Sequence, residues 1–413
     1  MSLTKAVYIV AAIAAVSVTA IAPPSAGAKT EKTKPAKHHA TASQSLPGGP
    51  GTDANGMPTF DTEARAAIVI DYNSGATLLD KNADLRLPTA SMSKIMTMYQ
   101  VGLDLKAGKA KLDDELPVSE DAWKTGGSKM FVPYPGKVKV SDLMRGVMIQ
   151  SGNDACVVLA EGLAGSTNAF VDEMNATAQK LGLTNSHFAD VDGLPDPNHY
   201  MSPRNLVMLS EDLIRDFPDI YALASIKEFT YNGIKQGNRN PLLYKNLGAD
   251  GVKTGHTDEA GYGLIGSAVR NGRRVILVVE GLPSIKARDE ESDRLMEWAY
   301  RAFDDVTAAH KGIAIDQAPV WLGDKPTVPV ATDRDIVMTV PRGPHKELKV
   351  TAVYDGPIKA PVTAGEKVGE LHVEYGKEAP VDYPLYAMAR VEKLGPVARA
   401  AEGIAQYIWE KKH

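Results

Sequence analysis

The spacing of apolar residues changes character along the chain, and each change predicts a different kind of element. Ala66-Ala67-Ile68-Val69-Ile70 is a strand-like apolar run; Asn73-Ser74-Gly75 supplies turn residues, and Ala76-Thr77-Leu78-Leu79 predicts the return strand of a hairpin. A helical period then takes over from Ser91 towards Leu105 and closes at Gly108. Further helical patterns cover about 142–150, 154–163, 167–181 and 203–215. Strand character returns from Tyr262 to Val269, and Asn271-Gly272, a strong two-residue hairpin signal, leads into Arg274-Val275-Ile276-Leu277-Val278-Val279. A helix over Ala287 to Phe303 follows. Strands at both ends of this segment with helices between them predict one sheet built from both chain ends and flanked by a helical subdomain, an α/β (α+β) domain over 61–310.

Beyond Gly312 the pattern becomes short Val-rich strands broken by Gly, Pro and Asp. Val328-Pro329-Val330, Ile336-Val337-Met338-Thr339-Val340 and Leu348-Lys349-Val350-Thr351-Ala352-Val353 read as a separate small all-β domain over 311–392. The end of the chain, 393–413, places Val397, Ala401, Ile404 and Ile408 on one helical face and so predicts an amphipathic C-terminal helix. Tyr407, Trp409 and Lys411-Lys412 suit peripheral contact with a membrane surface.

The beginning reads differently. Lys5 precedes an apolar run from Ala6 to Ile21, then Pro23-Pro24 and the small-x-small close Ala26-Gly27-Ala28. The run is short for a bilayer span, so 1–28 is expected to be an export signal, placing the globular part in the periplasm or on the outer face of the cytoplasmic membrane. An uncleaved anchor is the other reading of the same run. From 29 to 60 Lys, Thr, Ala, Ser, His, Pro and Gly dominate, which predicts a solvated tether. His38-His39 lies there without a Cys or carboxylate partner, and no metal site is read from it.

Composition narrows the function classes. The 413 residues leave room for two cores, and a net charge of -5 gives no reason to expect nucleic acid as the partner. The single cysteine, Cys156, excludes an intrachain disulfide framework; within Ala155-Cys156-Val157-Val158-Leu159 it reads as a small buried hydrophobe.

Three triplets then stand in order: Ser91-Met92-Ser93-Lys94, Ser151-Gly152-Asn153 and Lys253-Thr254-Gly255. On a helix Lys94 lies one turn beyond Ser91, within reach of its hydroxyl. A serine is a weak nucleophile until its proton is removed, and a lysine can remove it only if burial or a nearby cation lowers its pKa; Lys253 is a candidate for that cation. Free N–H groups at a helix start favour negative charge developing near Ser91. Ser151 and Asn153, between two helical runs, can point into a cleft, the one relaying a proton and the other holding a peptide amide. Lys253-Thr254-Gly255 precedes a strand, where the glycine would admit a substrate backbone and the cation and hydroxyl would meet a free carboxylate. Alone each triplet is weak; in this order and on these elements they are a strong joint signal.

The S-x-x-K, S-x-N and K-T-G set resembles that of β-lactamases and penicillin-binding proteins. Longer runs are similar to the D-alanyl-D-alanine carboxypeptidases among the low-molecular-mass penicillin-binding proteins: Leu87-Pro88-Thr89-Ala90-Ser91, Gly127-Ser128-Lys129-Met130-Phe131, Ile149-Gln150-Ser151-Gly152-Asn153-Asp154-Ala155, Asp192-Gly193-Leu194, His199-Tyr200 and Lys253-Thr254-Gly255-His256-Thr257. The resemblance implies a serine β-lactamase/transpeptidase-like domain, removal of the terminal D-alanine from peptidoglycan pentapeptide stems, inhibition by β-lactam antibiotics and no cofactor. It further implies Ser91 as acylated nucleophile, Lys94 as base, and Ser151, Asn153, Lys253 and Thr254 as substrate- and proton-handling residues. By the same resemblance the backbone N–H groups of Ser91 and His256 form the oxyanion hole, and Arg288 lies near the substrate carboxylate. A solvated arginine at a helix start is the other reading of Arg288. His199 is read as a packing or hydrogen-bonding residue. Asp190-Val191-Asp192-Gly193 is not a calcium loop, because Met201 stands where the closing Glu belongs. A D,D-endopeptidase, a β-lactamase and a non-catalytic wall-binding or β-lactam-sensing protein are the rivals. For the β-lactamase only Glu228 to Asn232 has the Glu-x-x-x-Asn spacing, on residues that read as strand.

Overall fold

The computed structural model describes residues 49–54, 56–343, 348–376 and 379–398. The expected export signal, most of the expected tether including His38-His39, and the expected C-terminal helix beyond Ala398 lie outside the described residues. The chain divides into two units, residues 49–306 with 337–343, and 307–336 with the described residues from 348 onward.

In the first unit β1 (Pro50–Thr52) and β2 (Pro58–Phe60) pair antiparallel. These residues were expected to be tether. The single aromatic Phe60 corrects that: it is buried, with its ring 5.5 Å from that of Trp298, and one such anchor outweighs the polar composition around it. Next come β3 (Ala66–Asp71) and β4 (Thr77–Lys81), then a 3-10 turn at Ala90–Ser93 that runs into α1 (Lys94–Lys106). A hairpin of β5 (Glu115–Val118) and β6 (Gly136–Lys139) encloses α2 (Glu120–Lys124). The helical layer continues with α3 (Val140–Gln150), α4 (Asn153–Ala164), α5 (Thr167–Lys180), α6 (Pro203–Asp216) and α7 (Pro218–Ala222). After the hairpin β7 (Glu228–Tyr231) and β8 (Ile234–Gly237), the chain builds β9 (Ala249–Thr257), β10 (Gly261–Arg270) and β11 (Arg273–Leu282) and closes with α8 (Ile285–Ala302).

The sheet order is β4-β3-β11-β10-β9, so its first strands and its last meet in the middle, as the sequence pattern predicts. Both faces of its centre are covered, which explains why β3 and β11 read as continuous apolar runs and not as alternating ones. Ile68, Ile70, Ile265, Ile276 and Val278 pack under Met92, Ile95 and Met96; Val69, Leu264, Leu277 and Val279 pack on Leu295, Met296 and Trp298 of α8. Asn271 and Gly272, at φ 53° and 80°, make the turn between β10 and β11 in the left-handed region that Asn-Gly supplies cheaply. Glu280 is buried in β11, and its two carboxylate oxygens find no hydrogen-bond partner among the described residues.

In the chain that follows, β12 (Phe303–Ala309) pairs with β15 (Ile336–Pro341), while β13 (Asp316–Trp321), β14 (Thr327–Ala331), β16 (Leu348–Val353), β17 (Ile358–Lys359), β18 (Lys367–Tyr375) and β19 (Val381–Ala387) form one six-stranded sheet. The run Ile336 to Val340, expected in the β domain, instead belongs largely to the first unit. Thr339 Oγ1 bonds Asp305 Oδ1 at 2.9 Å and lies 2.6 Å from Ser74 Oγ, contacts that strand patterning alone cannot assign.

Candidate active site

Ser91 sits on the 3-10 turn, one step after Ala90, whose φ of 48° is left-handed. The turn is pressed onto the sheet. A Cβ on Gly255 would lie 2.6 Å from the Thr89 carbonyl oxygen, and one on Gly263 would lie 2.5 Å from Met92 Cε. The reason for glycine at 255 is therefore the close approach of the nucleophile turn, a correction to the expectation that it clears space for substrate. Lys253-Thr254-Gly255 also lies inside β9 and does not precede a strand; β9 is the edge of the sheet.

Lys94 opens α1 and is fully buried, its Nζ 2.8 Å from Ser91 Oγ and 2.7 Å from Asn153 Oδ1, with the Asp192 carbonyl as a third partner. Asn153 Nδ2 donates to the Gly126 carbonyl at 2.8 Å, which fixes its amide orientation so that the oxygen faces the lysine. Asn153 Oδ1 and the Asp192 carbonyl can only accept. A neutral amine satisfies both with its two N–H bonds and leaves its lone pair for the Ser91 hydroxyl. Burial drives the Lys94 pKa down, towards that neutral form, and the Arg239 charge acts in the same direction. Of the two influences the sequence allowed, burial and a nearby cation, burial is the main one, and Arg239 supplies the charge for which Lys253 was the candidate.

Ser151 ends α3 at φ 62°, which turns its hydroxyl onto Lys253 Nζ at 2.9 Å. Lys253 also donates to the Thr254 carbonyl at 3.0 Å and is held well below its ordinary pKa, first by burial, then by Lys94 and Arg239. Asn153 begins α4 and donates its backbone N–H to the Ser128 carbonyl at 2.7 Å, so the second triplet is tied to the segment before β6. Thr254 is buried, whereas His256 is exposed and stacks on Tyr262 at 3.8 Å between centroids.

A chain with these three triplets joined at one sheet edge matches a known family. Residues 52–284 match the model of D-alanyl-D-alanine carboxypeptidase, and 303–393 match that of the penicillin-binding protein 5 C-terminal domain. The chain belongs to the D-alanyl-D-alanine carboxypeptidase family. It is a hydrolase of the peptidase class. The curated relative D-alanyl-D-alanine carboxypeptidase DacA of Escherichia coli K12 is 42% identical over 344 residues, covering 81% of this chain and 85% of that one. DacC of the same organism is 43% identical over 341 residues, at the same coverages of 81% and 85%. Among solved structures, penicillin-binding protein 5 from Haemophilus influenzae superposes with a TM-score of 0.76 at 39% identity, over 81% of this chain and 98% of that one. The fold is therefore the serine transpeptidase fold followed by an all-β C-terminal domain.

Within that family frame, Arg288 is buried in α8 and not solvated; its guanidinium lies 5.8 Å over the Tyr262 ring, and its Nε finds no partner among the described residues. Burial, and secondarily the charge of Arg239, lower its pKa. Arg239, which sequence reasoning missed, donates from Nη1 to Ser128 Oγ at 2.6 Å and acts electrostatically on Lys94, Lys253 and Arg288. It stands in a loop between polar neighbours, so no periodicity or spacing signalled it. Also missed was the Asp192 carbonyl as a partner of Lys94. Burial raises the Asp192 carboxyl to about 6, against the charge of Lys94, with Asp190 adding to the rise. His199 is a buried packing residue, edge-on to Phe188 and 3.3 Å from Asp190 Oδ2. Glu228 falls on β7 and pairs with Lys235 at 2.8 Å on the surface, so it is no deacylating carboxylate of the β-lactamase kind.

Proposed function

We propose that this enzyme removes the terminal D-alanine from peptidoglycan pentapeptide stems through an acyl-enzyme on Ser91. The observation that carries the reading is the 2.8 Å contact between the buried Lys94 Nζ and Ser91 Oγ, with the lysine held towards its neutral form. Lys94 takes the Ser91 proton as Oγ attacks the carbonyl carbon between the two D-alanines, and the backbone N–H groups of Ser91 and His256 receive the oxyanion. When the C–N bond breaks, the departing amine takes a proton through Ser151, whose hydroxyl touches Lys253. Water then hydrolyses the ester. Lys253, Thr254 and Arg288, joined by Arg239, supply the cations and hydroxyl for the substrate carboxylate, while Asn153 holds the peptide amide.

β-Lactams mimic the terminal dipeptide and acylate the same serine. Penicillin-binding protein D2 from Listeria monocytogenes, 33% identical over 58% of this chain with a TM-score of 0.54, was solved in a cefotaxime-bound form. Among the described residues no helix is long and apolar enough to cross a membrane. The apolar run and small-x-small close of residues 1–28 support export to the periplasm or outer membrane face, and the Pro396 to Lys412 pattern supports peripheral membrane contact.

The test pairs intact-mass measurement after incubation with penicillin against D-alanine release from a pentapeptide. Wild type gains one adduct and releases D-alanine; Ser91→Ala does neither while keeping its thermal transition. Labelling that persists undiminished in that variant would remove Ser91 as the nucleophile.

A further inference from the structure

The segment between α2 and β6 holds one wall of the site, and Asp154 pins its middle. Its Oδ1 accepts the Met130 N–H at 2.9 Å, and its Oδ2 accepts those of Phe131 and Val132 at 2.9 and 3.1 Å. Wrapping three successive N–H groups around one buried carboxylate holds Phe131 at φ 66°, a conformation that a bulky side chain avoids, and leaves its ring 46% exposed. Nearby, Trp123 and Tyr134 stack with centroids 6.0 Å apart and planes 30° from parallel, 47% and 44% exposed. Large rings kept in water forgo the stabilisation that burial would bring, a pattern typical of a binding surface, and at Phe131 the backbone is strained as well.

Resting on the reading of Ser91 as the peptidase nucleophile, we propose that Trp123 and Tyr134 form a platform on which a hexosamine ring of the glycan strand stacks, so that the enzyme selects stems still attached to their glycan. A pyranose presents an apolar C–H face that fits the electron-rich face of an aromatic ring, and its hydroxyl and acetamido edges stay in water. An open aromatic stack suits such a ring better than an extended peptide, which needs backbone partners or pockets.

The distances agree. The Gly126 carbonyl bonds Asn153 Nδ2 at 2.8 Å, and Asn153 Oδ1 is 2.7 Å from Lys94 Nζ, so the platform grows from the wall that touches the catalytic lysine. Trp123 stands three chain steps from Gly126, at most about 10 Å. The four stem residues between the cut bond and the sugar reach about 13 Å when extended. The two reaches are alike, so a stem lying along this wall is long enough to bring its sugar to the rings.

The experiment compares kcat/KM for a free pentapeptide with that for the same pentapeptide on its N-acetylglucosaminyl-N-acetylmuramyl disaccharide. Wild type favours the disaccharide substrate. Trp123→Ala loses that preference by roughly tenfold, with the free pentapeptide changed by less than about twofold, and Trp123→Phe, which keeps a ring, retains most of it. Equal wild-type turnover of the two substrates overturns the platform, as does a parallel loss on both in Trp123→Ala. Penicillin acylation of Trp123→Ala at the wild-type rate shows its site intact; slower acylation makes the effect structural and likewise overturns the platform. Failure of wild type to release D-alanine from either substrate would instead remove the peptidase reading beneath it.

Discussion

Lys253 Nζ lies 2.9 Å from Ser151 Oγ, two buried groups that stand 102 positions apart in the chain. The hydroxyl is placed to pass a proton and the lysine to polarise it by donating a hydrogen bond, so removing the hydroxyl should slow chemistry more than binding. Ser151→Ala is expected to lower kcat for D-alanine release by about 10²–10⁴, the usual yield of a positioned proton donor, with little change in KM. Steady-state kinetics checks this; an unchanged kcat would take Ser151 out of the proton path.

The Lys94 ammonium must be deprotonated to act as a base, and burial lowers its pKa from an ordinary 10.5. Acylation by penicillin should therefore rise with pH along a limb lying below pH 10.5, because each proton lost from Lys94 adds active enzyme. Stopped-flow acylation against pH reads the limb directly. Lys94→Ala should abolish it along with nearly all acylation; a limb that persists in the variant belongs to another group.

Arg239 and Arg288 are set to meet an anion, since Lys253 and both guanidiniums crowd one region without a carboxylate between them in the contacts described above. Each charge-assisted hydrogen bond to a substrate carboxylate contributes on the order of 1.5–3 kcal/mol. Wild type should thus turn over a C-terminal acid far better than the matching amide, and Arg239→Ala or Arg288→Ala should shrink that gap by about tenfold or more. Equal turnover of acid and amide by wild type would favour an endopeptidase.

Glu280 is a buried acid with no partner among the described residues, and burial raises its pKa well above 4.5, with the charge of Arg65 acting the other way. Below pH 4.5 the carboxyl is protonated in folded and unfolded chains alike, and its contribution is fully present. As pH rises, the unfolded chain gives up the proton and the folded chain resists, so stability falls through the folded pKa. Glu280→Gln and Glu280→Met should both flatten this decline, gaining more on wild type at about pH 8 than at about pH 5. Denaturant melts at a series of pH values decide; a wild-type-to-variant difference independent of pH means that Glu280 does not titrate.

Much of this was legible because the first unit obeys local rules. Asn271-Gly272 announces its hairpin, the apolar runs of β3 and β11 announce a sheet buried on both faces, and Ser91 to Lys94 announces a lysine within reach of a serine. What stayed hidden depends on contacts between distant residues. That Asn153 presents its oxygen to Lys94 follows from the Gly126 carbonyl behind it. Gly255 is explained by the carbonyl of Thr89, which no sequence window contains alongside it. Arg239 has no motif at all, and the strand after Ile336 looks like its Val-rich neighbours until Asp305 and Ser74 are seen to hold Thr339. Phe60 was masked by averaging over a polar stretch.

The strand order has a bearing on when the enzyme can first react. As a strand β9 pairs only with β10, and β10 joins the hairpin of β3 and β4 only through β11, so the sheet that carries Lys253 is complete only once Leu282 has been laid down. Contacts of such long range are slow to form because a large loop must close before any of them is rewarded. A chain delivered from its N-terminus would carry Ser91 as an ordinary, unreactive serine until β11 has formed, and fragments ending before β11 should take up no penicillin. Reactivity is a late property of this polypeptide, switched on by the closing strand of its own sheet.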